Sequence, residues 1–448
     1  MREHWGSRLG FILAALGSAI GLGTLWKFPY VTGEYGGGLF VFFYLIFTLI
    51  LGIPLFIGEL ILGRRAQRAA VGIFAELSGE STPWKTAGWL GVVSSFLILS
   101  YYCVVAGWGL NYLMMSLNQF YEKRTPAEIA STFDLLYKSG DISLFWAFIF
   151  LLLAMGVVFQ GVRKGIERWN RILTTALLVL LVLLCFYACT LEGFPKAIQF
   201  LFQPNLKHIQ LTGILEALGL SLFTLSLAQG VILTYGSYLR EKEDLPKTAL
   251  IVGLAVVAVS MVTVLTIFPV IFTFKLGPKE GSGLIFKTLP VLFAELPGSM
   301  ILSALFFTLF VFTALTSAVA LLEVISANLM DLYQWSRKKA AISSTVAAFI
   351  VGIPSAFSGS RQIFKKWLPM YGINFFDTVD LLVSVWLLPL GALLTSLYLG
   401  WRLKKELIFQ EFIKGSQWKR LFSLWFFLIR WVVPIGILLI FLQKAGFI

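Results

Sequence analysis

Long apolar runs separated by short polar or basic clusters dominate the chain. About 20 consecutive apolar residues cross a bilayer as a helix, and eleven runs of that kind are legible. They cover roughly 8–32, 38–63, 88–120, 142–161, 169–190, 211–239, 246–274, 298–334, 340–357, 375–401 and 418–443. Two of them are interrupted. The first carries Gly10, Gly17, Gly21 and Gly23, with a GLG step near its middle. The sixth places Ser226, Gln229 and Gly230 at mid-membrane in an otherwise apolar stretch. Glycine lowers the cost of leaving helical φ/ψ, and a helix that opens at bilayer depth exposes backbone groups that only protein or a water-filled cavity tolerates. Broken helices of this kind mark ion and substrate sites in secondary transporters. Small residues also serve close helix packing, so the glycines alone leave both readings open. Breaks in the first and sixth spans suit two inverted five-helix repeats over 8–190 and 211–404, with 418–443 as an accessory helix. Between spans seven and eight, 277–298 is too short and too rich in Gly and Pro for another crossing and reads as an external helical loop.

Composition agrees with a polytopic helical membrane protein. Of 448 residues, 58% are hydrophobic and 13% charged, and mean hydropathy is +0.85. The net charge of +13 does not point to nucleic acid, because the basic residues sit between spans, as the positive-inside rule requires. With the N-terminus inside, 22 of the 36 Lys and Arg residues fall on the cytoplasmic side. The expected orientation is therefore N-terminus cytoplasmic and C-terminus outside, in a bacterial inner membrane. The external cluster of Arg361, Lys365 and Lys366 fits this least well. Cys103, Cys185 and Cys189 lie in apolar runs and imply no disulfide framework, and two histidines are too few for a metal site. No cleavable signal peptide is evident.

Span eight contributes Thr313, Thr316 and Ser317, whose i, i+3, i+4 spacing puts three hydroxyls on one face. Such hydroxyls commonly bond back to the i−4 carbonyl. Beside the carbonyls of an opened helix they also suit a hard cation such as Na⁺. Ionisable residues within spans are costly and tend to pair or face water. Lys27 and Asp380 both lie on the outer side of mid-span, as an external gate pair would. Arg2 and Asp331 both lie at the cytoplasmic face, as an internal one would. Tyr101 and Tyr102 sit mid-run in span three. There is no nucleophile–base constellation, phosphate loop or metal-ligand spacing, so an enzyme is not expected.

The strings REHW and GSAIGLGTLWKFPY, then GGGLF and GIPLFIGELILGR, SYY, FTLSL with TYGSYL, and ALTSAVALLE closely resemble the neurotransmitter:sodium symporter family, especially its eleven-helix bacterial amino-acid transporters. The resemblance covers nearly the whole chain. It implies a LeuT-type fold of two inverted five-helix repeats, with substrate and ions held between broken helices 1 and 6 and helices 3 and 8. It implies a Na⁺ site formed by the carbonyls of Gly17, Ile20 and Thr313 and the hydroxyls of Thr316 and Ser317. The substrate carboxylate would meet the N–H groups of Leu22 and Gly23 and the hydroxyl of Tyr102. Gly21 stands where amine-selective members place an aspartate, which favours a neutral amino acid over a biogenic amine. The substrate side chain would face Ser18, Ile98, Phe223, Ser226, Gln229 and Leu321, with Ser317 adjoining. The outer gate maps to Lys27 and Asp380, with Tyr102 and Phe223 as a lid, and the inner gate to Arg2, Ser237, Tyr238 and Asp331.

Three departures from the family pattern change the expectation. The second sodium site would use Thr24, Thr224 and Val256, and an isopropyl group offers no oxygen, so one Na⁺ is expected per cycle. Of the chloride ligands, Tyr44, Thr224 and Ser260 remain while Leu220 and Val256 are apolar, so no chloride site is expected. In span six, Ala228 and Gln229 replace the usual pattern, placing an amide where an apolar wall is expected. The reading is a sodium-coupled symporter of neutral amino acids, a monomer or weak dimer in the lipid bilayer. Its rivals are a proton-coupled transporter using Glu59 or Glu323, and a substrate sensor on the same scaffold.

Overall fold

The computed structural model describes residues 3–203, 210–278, 283–360 and 362–444. Helices account for nearly all of the regular structure, and no strand occurs among the described residues. Among the described residues, nine helices are continuous, long and apolar enough to span a membrane: Gly38–Ala66, Lys85–Leu117, Gly140–Phe159, Val162–Cys189, Leu245–Thr273, Ser299–Tyr333, Arg337–Ala356, Phe375–Arg402 and Lys419–Lys444. A tenth span is the pair Arg8–Ala19 and Gly23–Glu34, bent by 50° at its break. The eleventh is Leu211–Thr224 followed, after six non-helical residues, by Val231–Gly236. They match the eleven expected runs in order, and the two breaks fall in spans one and six as expected.

The breaks have local causes. Span one leaves helical geometry at Ile20 (φ −81°, ψ 74°), just before the GLG step. In span six, Ser226, Ala228 and Gly230 take φ of 53°, 60° and 75°, a left-handed conformation that costs non-glycine residues about 1–2 kcal/mol each. Backbone strain of this size persists where the surroundings over-determine it. Here Ala228 N–H donates to Glu59 Oε1 at 2.8 Å, Ser226 Oγ donates to the Ser18 carbonyl at 2.9 Å, and the Gln229 carbonyl accepts from Ser95 Oγ.

Spans three and eight form the centre. In their most apolar windows 78% and 83% of residues are buried, against 33% in span five and 39% in span eleven. The peripheral helices turn apolar side chains such as Phe186, Ile172 and Leu424 outward, as a lipid-facing surface requires.

Span five begins at Val162, seven residues before the expected 169, and takes Arg163, Lys164, Arg168 and Arg171 into its first turns. A hydropathy reading stops where charge begins, but helical hydrogen bonding continues past the bilayer edge. Short helices at Ala70–Ser78, Pro126–Lys138, Phe194–Phe202 and Lys405–Ile413 carry no span-length signal and were not expected. The expected external loop before span eight holds helical turns Leu284–Thr288 and Leu289–Glu295. The last short helix is tied down by a buried ion pair. Arg64 Nε meets Glu411 Oε2 at 2.9 Å, and the same guanidinium donates to the carbonyl of Glu243 at 2.6 Å.

Candidate substrate and ion site

The break in span one packs against span eight, and the two supply oxygens to one point. Thr316 Oγ1 lies 2.8 Å from the Gly17 carbonyl and 3.0 Å from that of Thr313. Ser317 Oγ lies 3.1 Å from the Ser18 carbonyl and 3.4 Å from that of Gly17. All of these residues are buried. Because Gly17 and Ser18 end a helix, their carbonyls have no partner one turn ahead and are left to face span eight. Neutral hard oxygens at this spacing are donors suited to Na⁺, and the span-eight hydroxyls bond across to span one as well as back along their own helix. Ile20 is buried beside them. The Ser18 carbonyl is an additional oxygen that sequence reasoning missed, since a backbone acceptor has no signature in side-chain identity.

Directly beside this cluster is a cavity of about 30 Å³. Its lining includes every residue expected for the substrate: Ser18, Gly21, Leu22, Gly23, Ile98, Tyr102, Phe223, Ser226, Gln229, Ser317 and Leu321. Ala19, Val231 and Ala320 complete it. No ionisable carboxylate or ammonium group of the described residues lines it. The absence of a side chain at Gly21 matters: a Cβ there would stand 2.7 Å from Ser317 Oγ and 3.6 Å from the Tyr102 hydroxyl. The Tyr102 hydroxyl is buried with no hydrogen-bond partner among the described residues.

Above the cavity is a second, wider one of about 360 Å³, lined by Lys27, Tyr30, Glu216, Phe223, Asp380 and neighbours. Phe223 belongs to both and separates them. Lys27 and Asp380 face this vestibule without forming an ion pair with each other. Lys27 Nζ stands 5.6 Å from the centre of the Phe223 ring, and Asp380 Oδ1 accepts from the Tyr101 hydroxyl at 2.8 Å. Lys444, near the end of span eleven, reaches Glu216 at the vestibule wall, and Arg430 stacks 4.4 Å from the Trp401 ring.

Below the cavity the protein is closed. The Trp5 backbone N–H donates to the Tyr238 carbonyl at 3.1 Å and its indole N–H to the Tyr235 carbonyl at 3.0 Å. Tyr238 donates to Glu323 Oε1 at 2.6 Å, and Glu323 pairs with Arg337 at 2.8 Å. Asp331 accepts from the Ala69 N–H at 2.6 Å, and Ser237 is buried in the same layer. Arg2 lies outside the described residues. Trp5, Glu323 and Arg337 as closing elements were not among the expected gate residues. The tryptophan in the REHW string was the available signal.

The model of the "Sodium:neurotransmitter symporter family" matches residues 2–124 and 118–446. The chain belongs to this family. It is 37% identical over 444 residues to an uncharacterized sodium-dependent transporter, YhdH, of Bacillus subtilis (strain 168), covering 99% of this chain and 98% of that one. It is 32% identical over 298 residues to the human inactive sodium-dependent neutral amino acid transporter B(0)AT3, covering 60% and 47% respectively. The crystal structure of MhsT in complex with L-phenylalanine superposes with a TM-score of 0.91 at 40% identity, over 99% of this chain and all of that one. The protein is thus a membrane transporter of the sodium-dependent symporter family with the LeuT-type fold, and not an enzyme.

Proposed function

We propose that the protein is a sodium-coupled symporter of neutral amino acids working by alternating access, with one Na⁺ held by Gly17, Ile20, Thr313, Thr316 and Ser317. The observation that carries this reading is the convergence of the Gly17 and Thr313 carbonyls on Thr316 Oγ1 beside a cavity free of ionisable carboxylate and ammonium groups. The relation to MhsT and to neutral amino acid transporters supports the substrate class. An orphaned Tyr102 hydroxyl and the span-one half-helix starting near Leu22 and Gly23 suit a carboxylate, which favours helix N-termini. Coupling follows if Na⁺ favours the conformation in which this substrate site is formed.

A single ion is favoured by the residues at the other sodium position. Val256 brings no side-chain oxygen, while the Thr24 and Thr224 hydroxyls donate to the carbonyls of Ala19 and Leu220. The Tyr44 hydroxyl meets those of Thr224 and Ser260 at 2.9 and 3.3 Å, which supports a protein that works without chloride. The Lys27–Asp380 side is the outer gate and the Ser237–Tyr238–Asp331 layer, with Arg2, the inner one. The protein sits in the inner membrane with its N-terminus inside and C-terminus outside, as a monomer or weak dimer. The two repeats run over 8–190 and 211–404.

The test is uptake into proteoliposomes. A Na⁺ gradient is expected to drive accumulation of a neutral amino acid, and Thr316→Ala with Ser317→Ala to abolish its Na⁺ dependence. Unchanged Na⁺ dependence in that double variant would remove the ion assignment. A second reading, proton coupling, draws on Glu59 Oε2, which is buried without a partner among the described residues. Uptake driven by a pH gradient in the absence of Na⁺ would favour it. Glu323, held by Arg337, is the weaker carrier of the two.

A further inference from the structure

Five polar side chains line the central cavity, and three of them are already engaged. Ser18 Oγ donates to the Ala15 carbonyl, Ser226 Oγ to that of Ser18, and Ser317 Oγ to those of Ser18 and Gly17. The remaining two are Tyr102 and Gln229. Tyr102 belongs to the end of the cavity where span one restarts. Gln229 lines the same cavity, whose apolar residues include Ile98, Phe223 and Leu321, and no described residue hydrogen-bonds its carboxamide. It is only 5% exposed. Its backbone is fixed between the left-handed residues Ala228 and Gly230, and its carbonyl is held by Ser95. An amide that lines the cavity with neither its donor nor its acceptor engaged by a described residue is available to a ligand, and a ligand that buries it without a matching group costs free energy.

We propose that Gln229 makes this cavity selective for amino acids whose side chain carries a hydroxyl or carboxamide, against aliphatic side chains of the same shape. The inference rests on reading the cavity as an amino-acid site. No ionisable carboxylate or ammonium group of the described residues lines the cavity, which suits a neutral side chain. A wholly apolar pocket discriminates poorly between such isosteres. A pocket with a buried hydrogen-bonding group rejects the analogue that leaves that group unpaired.

The experiment is equilibrium binding to the purified full-length protein in Na⁺, using two near-isosteric pairs, L-threonine against L-valine and L-asparagine against L-leucine. The polar member of each pair is expected to bind at least tenfold tighter. Gln229→Met keeps the length of the side chain without its donor and acceptor, and is expected to bring both ratios to one or below. Wild-type ratios at or below one overturn the proposal whatever the variant does. So do ratios that survive unchanged in Gln229→Met. Failure of all twenty amino acids to bind overturns instead the reading of the cavity as an amino-acid site.

Discussion

Tyr102 illustrates what one atom contributes. Its hydroxyl is buried and makes no hydrogen bond of good geometry among the described residues, and an unsatisfied buried group costs up to roughly 1–3 kcal/mol. In the proposed complex it would donate to a carboxylate, and a hydrogen bond to a charged group is worth about 1.5–3 kcal/mol. Tyr102→Phe should therefore act in opposite directions on two readouts. Amino-acid affinity should fall about 10–100-fold, while the thermal stability of the ligand-free protein should be unchanged or higher. A loss of stability together with unchanged affinity would show that the hydroxyl is structural. Gly21 acts through an absence. The space a Cβ would need belongs to Ser317 Oγ, so the proposed ion cluster and the proposed substrate cavity share one wall.

At the scale of elements, the working parts are those that depart from regular geometry, and their neighbours hold them there. Glu59 of span two receives the Ala228 N–H released by the opening of span six. The short helix Lys405–Ile413 has a different kind of anchor. Arg64 is buried, and its guanidinium bonds the Glu411 carboxylate and the carbonyls of Glu411 and Glu243. Removing one member of a buried pair leaves the other charge uncompensated, at about 3–5 kcal/mol. Arg64→Ala should accordingly lower the apparent melting temperature in detergent by several degrees. A midpoint within one degree of wild type would mean that water already compensates the charge. The covering helices were invisible to a search for apolar runs because their burial is one-sided and their length is below that of a span.

For the molecule as a whole, the asymmetry between its two sides defines the conformation. A vestibule of about 360 Å³ lies outside Phe223, whereas the inner side is sealed by Trp5, Tyr238, Glu323 and Arg337. In the proposed orientation this is an arrangement closed toward the cytoplasm. Trp5 packs its ring against Tyr235, Tyr238 and Phe11 and fills the contact between span one and the second half of span six. Trp5→Ala should shift the population toward the inward-open form. A cysteine introduced at Ser237 should then react with a membrane-impermeant thiol reagent several-fold faster in inside-out vesicles. An equal rate in both backgrounds would place the closing energy elsewhere, in the Glu323–Arg337 pair.

The sequence by itself determined the class of molecule, the number and order of the spans, the two interrupted helices and most of the site's residue types. These are legible because the bilayer imposes a length and an apolarity on each crossing. A run such as GSAIGLGTLWKFPY also carries its departure from helix in glycine content. The tertiary structure decided what depends on partners distant in the chain. It brought Gly17 and Thr316, 299 positions apart, within 2.8 Å. It left Lys27 and Asp380 facing one vestibule without pairing, and gave Asp380 to Tyr101. It added the Ser18 carbonyl to the proposed ion cluster, and it left the Gln229 carboxamide without a partner among the described residues while bonding the serines of the same cavity. Whether a buried polar group is satisfied depends on the positions of atoms from several helices at once, and no local pattern of residues encodes that.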